Sequence, residues 1–116
     1  MTKLMTVIET PEFIKDVKNS KMSEEEHREL INFLAANPTA GVLMEGTGGI
    51  RKVRFATGGR GKSGAFRVVY YYHSTTIPLF ALNIFAKKDK ANLSQAERNM
   101  MKKFVQIIVK SFKEGK

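Results

Sequence analysis

The side chains of this chain best suited to chemistry are lysines and arginines. Lys52 and Arg54 stand two residues apart in a run of alternating apolar and polar character, and a strand's period of two puts such a pair on one face. Arg67 opens a second strand-like run, and Lys87 and Lys88 close a third. If these strands are neighbours, the five cations converge on one patch. Such a patch neutralises the phosphates of a nucleic acid backbone. Residues 46–88 hold eight basic residues and no acidic one. A field of one sign implies a polyanionic partner, of which nucleic acid is the commonest.

Other chemistries find less to work with. The chain has no cysteine, so disulfides, thiol nucleophiles and thiolate-bound zinc are excluded. Its two histidines, His27 and His73, lie far apart in sequence and show no ligand spacing. His27 is expected on the exposed side of a helix and His73 at a strand end. No paired carboxylates stand near the basic stretch, which argues against glycosidase-type acid–base catalysis. The segment Ala56-Thr57-Gly58-Gly59-Arg60-Gly61-Lys62-Ser63 nearly spells a phosphate-binding loop. That loop works by presenting the amides of a following helix, and here a strand-like run follows instead. It therefore reads as a basic hairpin loop able to touch a phosphate backbone. Tyr70, Tyr71 and Tyr72 sit beside the basic residues. At least one must face the Arg67 side, where an aromatic face among cations suits stacking on single-stranded RNA. Packing in a half-buried strand is expected for the other two.

Several elements must position these residues. Residues 4–9 read as a first strand. Thr10 caps a helix with Pro11 in its first turn, Phe13, Ile14 and Val17 on its apolar side, and Asn19-Ser20 at its end. Ser23 and Glu26 form a capping box for a second helix, with Leu30, Ile31 and Leu34 on one face and Asn37-Pro38 as its stop. Val42-Leu43-Met44 is a short strand, and Gly46-Thr47-Gly48-Gly49 a tight turn that uses glycine's access to positive φ. Residues 50–56 alternate, placing Arg51, Val53 and Phe55 on one face and Ile50, Lys52, Arg54 and Ala56 on the other. Residues 57–65 are a glycine-rich basic loop. Residues 66–73 have strand composition. Residues 77–86 are almost wholly apolar, as in a central buried strand, with Pro78 tolerable near its start. A capping box at Ser94 and Glu97 opens a last helix with Met101, Phe104, Val105, Ile108 and Phe112 on one side.

This order predicts an α+β fold. It comprises an N-terminal strand and two-helix hairpin, a largely antiparallel sheet of four or five strands, and a C-terminal helix, all in one domain over residues 1–116. The length of 116 residues and 42% hydrophobic content suffice for a core without metal or disulfide staples. The net charge of +9 is unevenly spread, because eight of the 11 acidic residues lie in residues 1–45, mostly on the two N-terminal helices. No secretory signal and no membrane-spanning run is evident, so a cytoplasmic protein with no membrane partner is expected.

The motif order resembles the RelE/HigB family of bacterial toxins, and most of all the HigB branch. The resemblance rests on the run from Glu45 through Gly46-Thr47-Gly48-Gly49-Ile50-Arg51-Lys52-Val53 to Arg54 and on the Gly58 to Gly64 loop. It rests also on Arg67-Val68-Val69-Tyr70-Tyr71-Tyr72 and on Ile84-Phe85-Ala86-Lys87-Lys88. It implies a RelE-like fold and a ribosome-dependent endoribonuclease that cuts mRNA in the ribosomal A site without a metal or other cofactor. The implied partners are that mRNA and a cognate helix-turn-helix antitoxin, with DNA contacted only through the antitoxin complex. The implied catalytic residues are Lys52, Arg54, Arg67 and Lys88. Lys52 is the candidate general base, since clustered positive charge favours a neutral amine. Arg67 matches the family's phosphate-binding arginine, and Lys88 falls where an arginine often steadies the transition state or leaving group. Arg51, Arg60, Lys62, Tyr71 and Lys87 are the implied RNA-binding residues. Some members carry a tyrosine shortly after the last basic pair, and residues 89–93 contain none; Tyr71 or Lys62 is the candidate substitute. The alternatives are a ParE-like inhibitor of DNA gyrase and a non-catalytic RNA-binding module.

Overall fold

The structure, a computed structural model, describes residues 4–56, 66–86 and 94–114, the side chains of residues 85, 86, 113 and 114 aside. Strand β1 (Val7–Glu9) leads into helix α1 (Pro11–Ser20) and helix α2 (Glu24–Ala36). Strands β2 (Val42–Leu43), β3 (Ile50–Phe55), β4 (Phe66–Tyr71) and β5 (Leu79–Ala86) follow, and helix α3 (Gln95–Glu114) ends the order. They form one five-stranded sheet in the order β1-β5-β4-β3-β2. All pairings are antiparallel except β1 with β5. The α+β architecture is the expected one; the parallel edge was not foreseen.

The caps define the helices. Thr10 Oγ1 accepts from Phe13 N, and Pro11 fills the first turn, where its missing N–H costs nothing. Ser23 and Glu26 exchange both hydrogen bonds of a capping box, and Ser94 and Glu97 do the same for α3. Caps of this kind contribute about 1 kcal/mol each.

Two apolar layers enclose the sheet. On one face α1 and α2 bring Phe13, Leu30 and Leu34 against Phe55, Phe66, Val68, Tyr70, Leu79 and Ala81. On the other, α3 packs Val105 and Ile108 against Ile50, Val69, Tyr71, Phe80 and Leu82, with the Phe104 and Phe112 rings set edge-on to Phe80. His27, expected on an exposed helix side, is instead half-buried. Its Nε2 meets Glu9 Oε1 at 2.6 Å, and its ring leans on Phe13, tying α2 to β1.

Both edges of the sheet carry a device against further pairing. β2 is only two residues long. Past Ala81, where β1 ends, the side chains of α1 take over the edge of β5. Thr10 Oγ1 donates to Ala81 and Leu82 carbonyls. Asp16 Oδ2 accepts from Ile84 N at 2.9 Å and from Asn83 Nδ2 at 3.2 Å.

The link from α2 to β2 is pinned from the sheet. The fully buried Tyr70 hydroxyl donates to Pro38 O and accepts from Gly41 N, each at 2.8 Å. Gly41 packs so closely that a Cβ there would stand 2.8 Å from that hydroxyl and 2.9 Å from Lys52 O. Tyr70→Phe leaves a buried donor and acceptor unpaired, so a loss of about 1–3 kcal/mol is expected by urea unfolding. Wild-type stability in that variant would show that the bridge carries no net weight.

Candidate functional site

The pairing of β3 with β4 builds the site. Arg54 stands directly opposite Arg67, and Lys52 opposite Val69. Val69 belongs to the apolar layer under α3, so all three cations project from the α3 face. Directly opposed residues hold their Cβ atoms about 4.5–5.5 Å apart, and diagonal ones about 7–8 Å. Lys52 and Arg67 are such a diagonal pair. Arg54 is exposed, and Lys52 and Arg67 are half-exposed.

Helix α3 decides what stays open. Its apolar side covers Ile50, Val69, Tyr71, Phe80 and Leu82. The Arg54 and Arg67 end of the sheet lies beyond that layer. At the boundary, Lys52 joins Val42, Leu43, Met44, Gln95 and Arg98 around an open groove of about 620 Å³. Arg98 Nη1 donates to Glu45 O at 2.7 Å, holding the first turns of α3 against the turn after β2. In that turn Gly46, Gly48 and Gly49 all have positive φ, as the glycine run led us to expect. The buried Thr47 hydroxyl donates to Met44 O and accepts from Ile50 N.

The structure brings together three of the residues marked in the sequence, Lys52, Arg54 and Arg67. Arg60, Lys62, Lys87 and Lys88 lie outside the described residues. Two residues expected to bind RNA lie apart from this trio. Arg51 projects from the opposite face, where its Nη1 donates to Gly41 O at 2.8 Å and to Thr39 O at 3.4 Å. Its guanidinium braces the loop that Tyr70 also holds. Tyr71 does share the face of Arg67, but it is 2% exposed, packed under α3 and against Gly49. A ring so placed cannot stack on a base. Tyr70 fills the opposite core, and Tyr72 packs at its margin. The alternation therefore located the faces correctly, but it carried no signal of how far α3 reaches. Gln95 and Arg98 escaped the sequence reading altogether. Their capping box marked where α3 starts, and nothing local marked which strands it starts beside.

With this geometry in view, comparison with protein families is informative. Residues 5–115 match the family described as the RelE toxin of the RelE/RelB toxin–antitoxin system. The chain belongs to the RelE toxin family. A RelE toxin is one half of a toxin–antitoxin pair, so an antitoxin partner is implied. The match covers both helices before the sheet, all of β3 and β4, and α3 to its last turn. Within this RelE-family chain, no described helix is long and apolar enough to cross a membrane.

Burial sets the phenols of the core. Desolvation raises Tyr70 above its ordinary value, opposed by the Gly41 N–H bond and the nearby Arg51 charge; desolvation alone raises Tyr71. A phenol whose folded value exceeds its unfolded one supports the fold below the unfolded value, about 10. That support is lost as pH rises through the folded value. Absorbance at 295 nm against pH should thus show two tyrosines ionising late and together with alkaline unfolding; three tyrosines titrating near 10 in a folded chain would contradict the burial. A second test concerns the cations. Phosphate should raise Tm more than chloride at equal ionic strength, and Arg67→Ala should abolish the difference. No difference in the wild type would mean that the trio holds no oxyanion.

Proposed function

We propose that this RelE toxin is a ribosome-dependent endoribonuclease of the HigB type, cutting mRNA in the A site and so arresting translation. The single observation that supports it most is the register of β3 and β4, which sets Lys52, Arg54 and Arg67 together on one face of the sheet, Arg54 exposed and the other two half-exposed. These are the residue types that phosphoryl transfer without a metal requires.

The proposed reaction is internal. The ribose 2′-oxygen attacks the adjacent phosphorus, the bond from phosphorus to the 5′-oxygen breaks, and a cyclic phosphate and a free 5′-hydroxyl result. Lys52 takes the proton of the 2′-hydroxyl. Arg67 binds the scissile phosphate, where a guanidinium fork can meet two of its oxygens. Arg54, directly across from it, adds positive charge against the oxygens of the phosphorane, which carry more charge in the transition state than in the ground state. Lys88, outside the described residues, is the candidate that protonates or steadies the leaving oxygen. Tyr71 has no part in this scheme, because it is buried.

Induction in a bacterial host should arrest growth, and primer extension should map cuts inside translated messages. Lys52→Ala should slow cleavage by about 10²–10⁴, the usual worth of a positioned general base, and Arg67→Ala by about 10² or more, with far-UV circular dichroism unchanged. Intact messages during full arrest would refute the nuclease reading. Arrest accompanied by DNA breaks would point to gyrase instead.

A further inference from the structure

The groove beside Lys52 has no role in the reaction as proposed. Its walls differ in kind. One is β2, whose Val42 and Leu43 are 70% and 57% exposed, with Met44 continuing it. The other is the first turn of α3, with Gln95 and Arg98, and Glu45 and Gly46 complete the lining. Lys52 forms the end nearest the cation trio, and Val42 is its direct partner across the β2–β3 pairing. The groove therefore opens onto the site through a residue of the site.

From this arrangement we infer that the groove receives the nucleotide next to the scissile phosphate, and that Gln95 and Arg98 set which sequences are cut. The inference rests on the nuclease reading and deepens it. Four features favour an RNA nucleotide as occupant. The groove is continuous with the trio, so a strand whose phosphate lies at Arg67 has its neighbouring residue within reach. Val42, on the Lys52 side of β2, presents apolar surface to water, which the face of a base can cover. The Gln95 amide offers a donor and an acceptor to a base edge, the pairing that glutamine makes with nucleobases elsewhere. Arg98 spends one Nη1 bond on Glu45 O, and its remaining donors and full charge suit the next phosphate. The volume of about 620 Å³ is ample for one nucleotide.

The position of Gln95 permits a clean test. It is the first residue of α3 after the Ser94 cap, is exposed, and bonds only to Asn99 Oδ1, at 3.1 Å, among the described residues. A negative charge there favours the helix through its dipole while repelling RNA. Gln95→Glu should keep or raise Tm, yet weaken binding of a non-cleavable 2′-O-methyl RNA trinucleotide about tenfold. In cleavage by the full toxin on ribosomes it should raise KM by a similar factor and redistribute the cuts among sequences. Arg98→Ala should weaken trinucleotide binding to a similar degree, and Arg98→Lys should restore most of it if charge is what acts. Cleavage by both Gln95→Glu and Arg98→Ala with wild-type KM and wild-type cut sites would overturn the groove and leave the nuclease reading standing. A wild-type toxin that neither cuts messages nor binds the trinucleotide would overturn both. Variants that lose only antitoxin binding, with RNA binding and cut sites unchanged, would also overturn the groove as a nucleotide subsite.

Discussion

Everything at the candidate site depends on the register of β3 against β4. Because side chains alternate along a strand, this one alignment sends Arg51, Val53 and Phe55 toward α1 and α2, and Ile50, Lys52 and Arg54 toward α3. A slip by one residue would drive Lys52 and Arg54 into the layer now filled by Phe13, Leu30 and Leu34. The cost of burying unpaired charges there is several kcal/mol each, comparable to the stability of a whole domain. The apolar packing on one face is thus what holds the cations on the other in place.

The register is in turn defended from several sides. Tyr70 and Arg51, neighbours across the β3–β4 ladder, both reach out to the 38–41 loop. They join the sheet's middle to the approach of β2, and β2 is one wall of the groove. The Thr47 hydroxyl closes the turn between β2 and β3, and Arg98 links that turn to α3. Loop and turn are therefore set by Tyr70, Arg51 and Thr47, none of which belongs to the Lys52, Arg54 and Arg67 trio. Arg51 illustrates the division: it lies between two turn-forming elements and one residue from Lys52, yet its guanidinium braces backbone.

Much of this was legible in sequence because it is encoded locally. Ser23 with Glu26 and Ser94 with Glu97 announce their helices through bonds three residues long. The alternation of Ile50 to Phe55 announces two faces, and both proved correct. What was not legible is set by contacts distant in sequence. The parallel seat of β1 beside β5 joins residues about 70 positions apart. Tyr71 is buried because α3, some 30 residues later, lies over it, so its composition looked like a stacking platform while its packing made it core. His27 finds Glu9 across 18 residues, and no helical periodicity contains that pairing. The groove residues Gln95 and Arg98 fall in the same class: their identity is ordinary, and their neighbours make them notable.

The arrangement also has an electrostatic cost that constrains how it can be used. Like charges directly opposed in a sheet repel, and Arg54 stands directly opposite Arg67. A domain under no demand for anions would gain by placing threonine or an acid at either position. Residues 46–88 supply no carboxylate, and the acids of α1 and α2 stand on the helices packed against the other face of the sheet. An oxyanion seated between Arg54 and Arg67 would set negative charge against both guanidiniums at once. By linkage, the same occupant stabilises the fold.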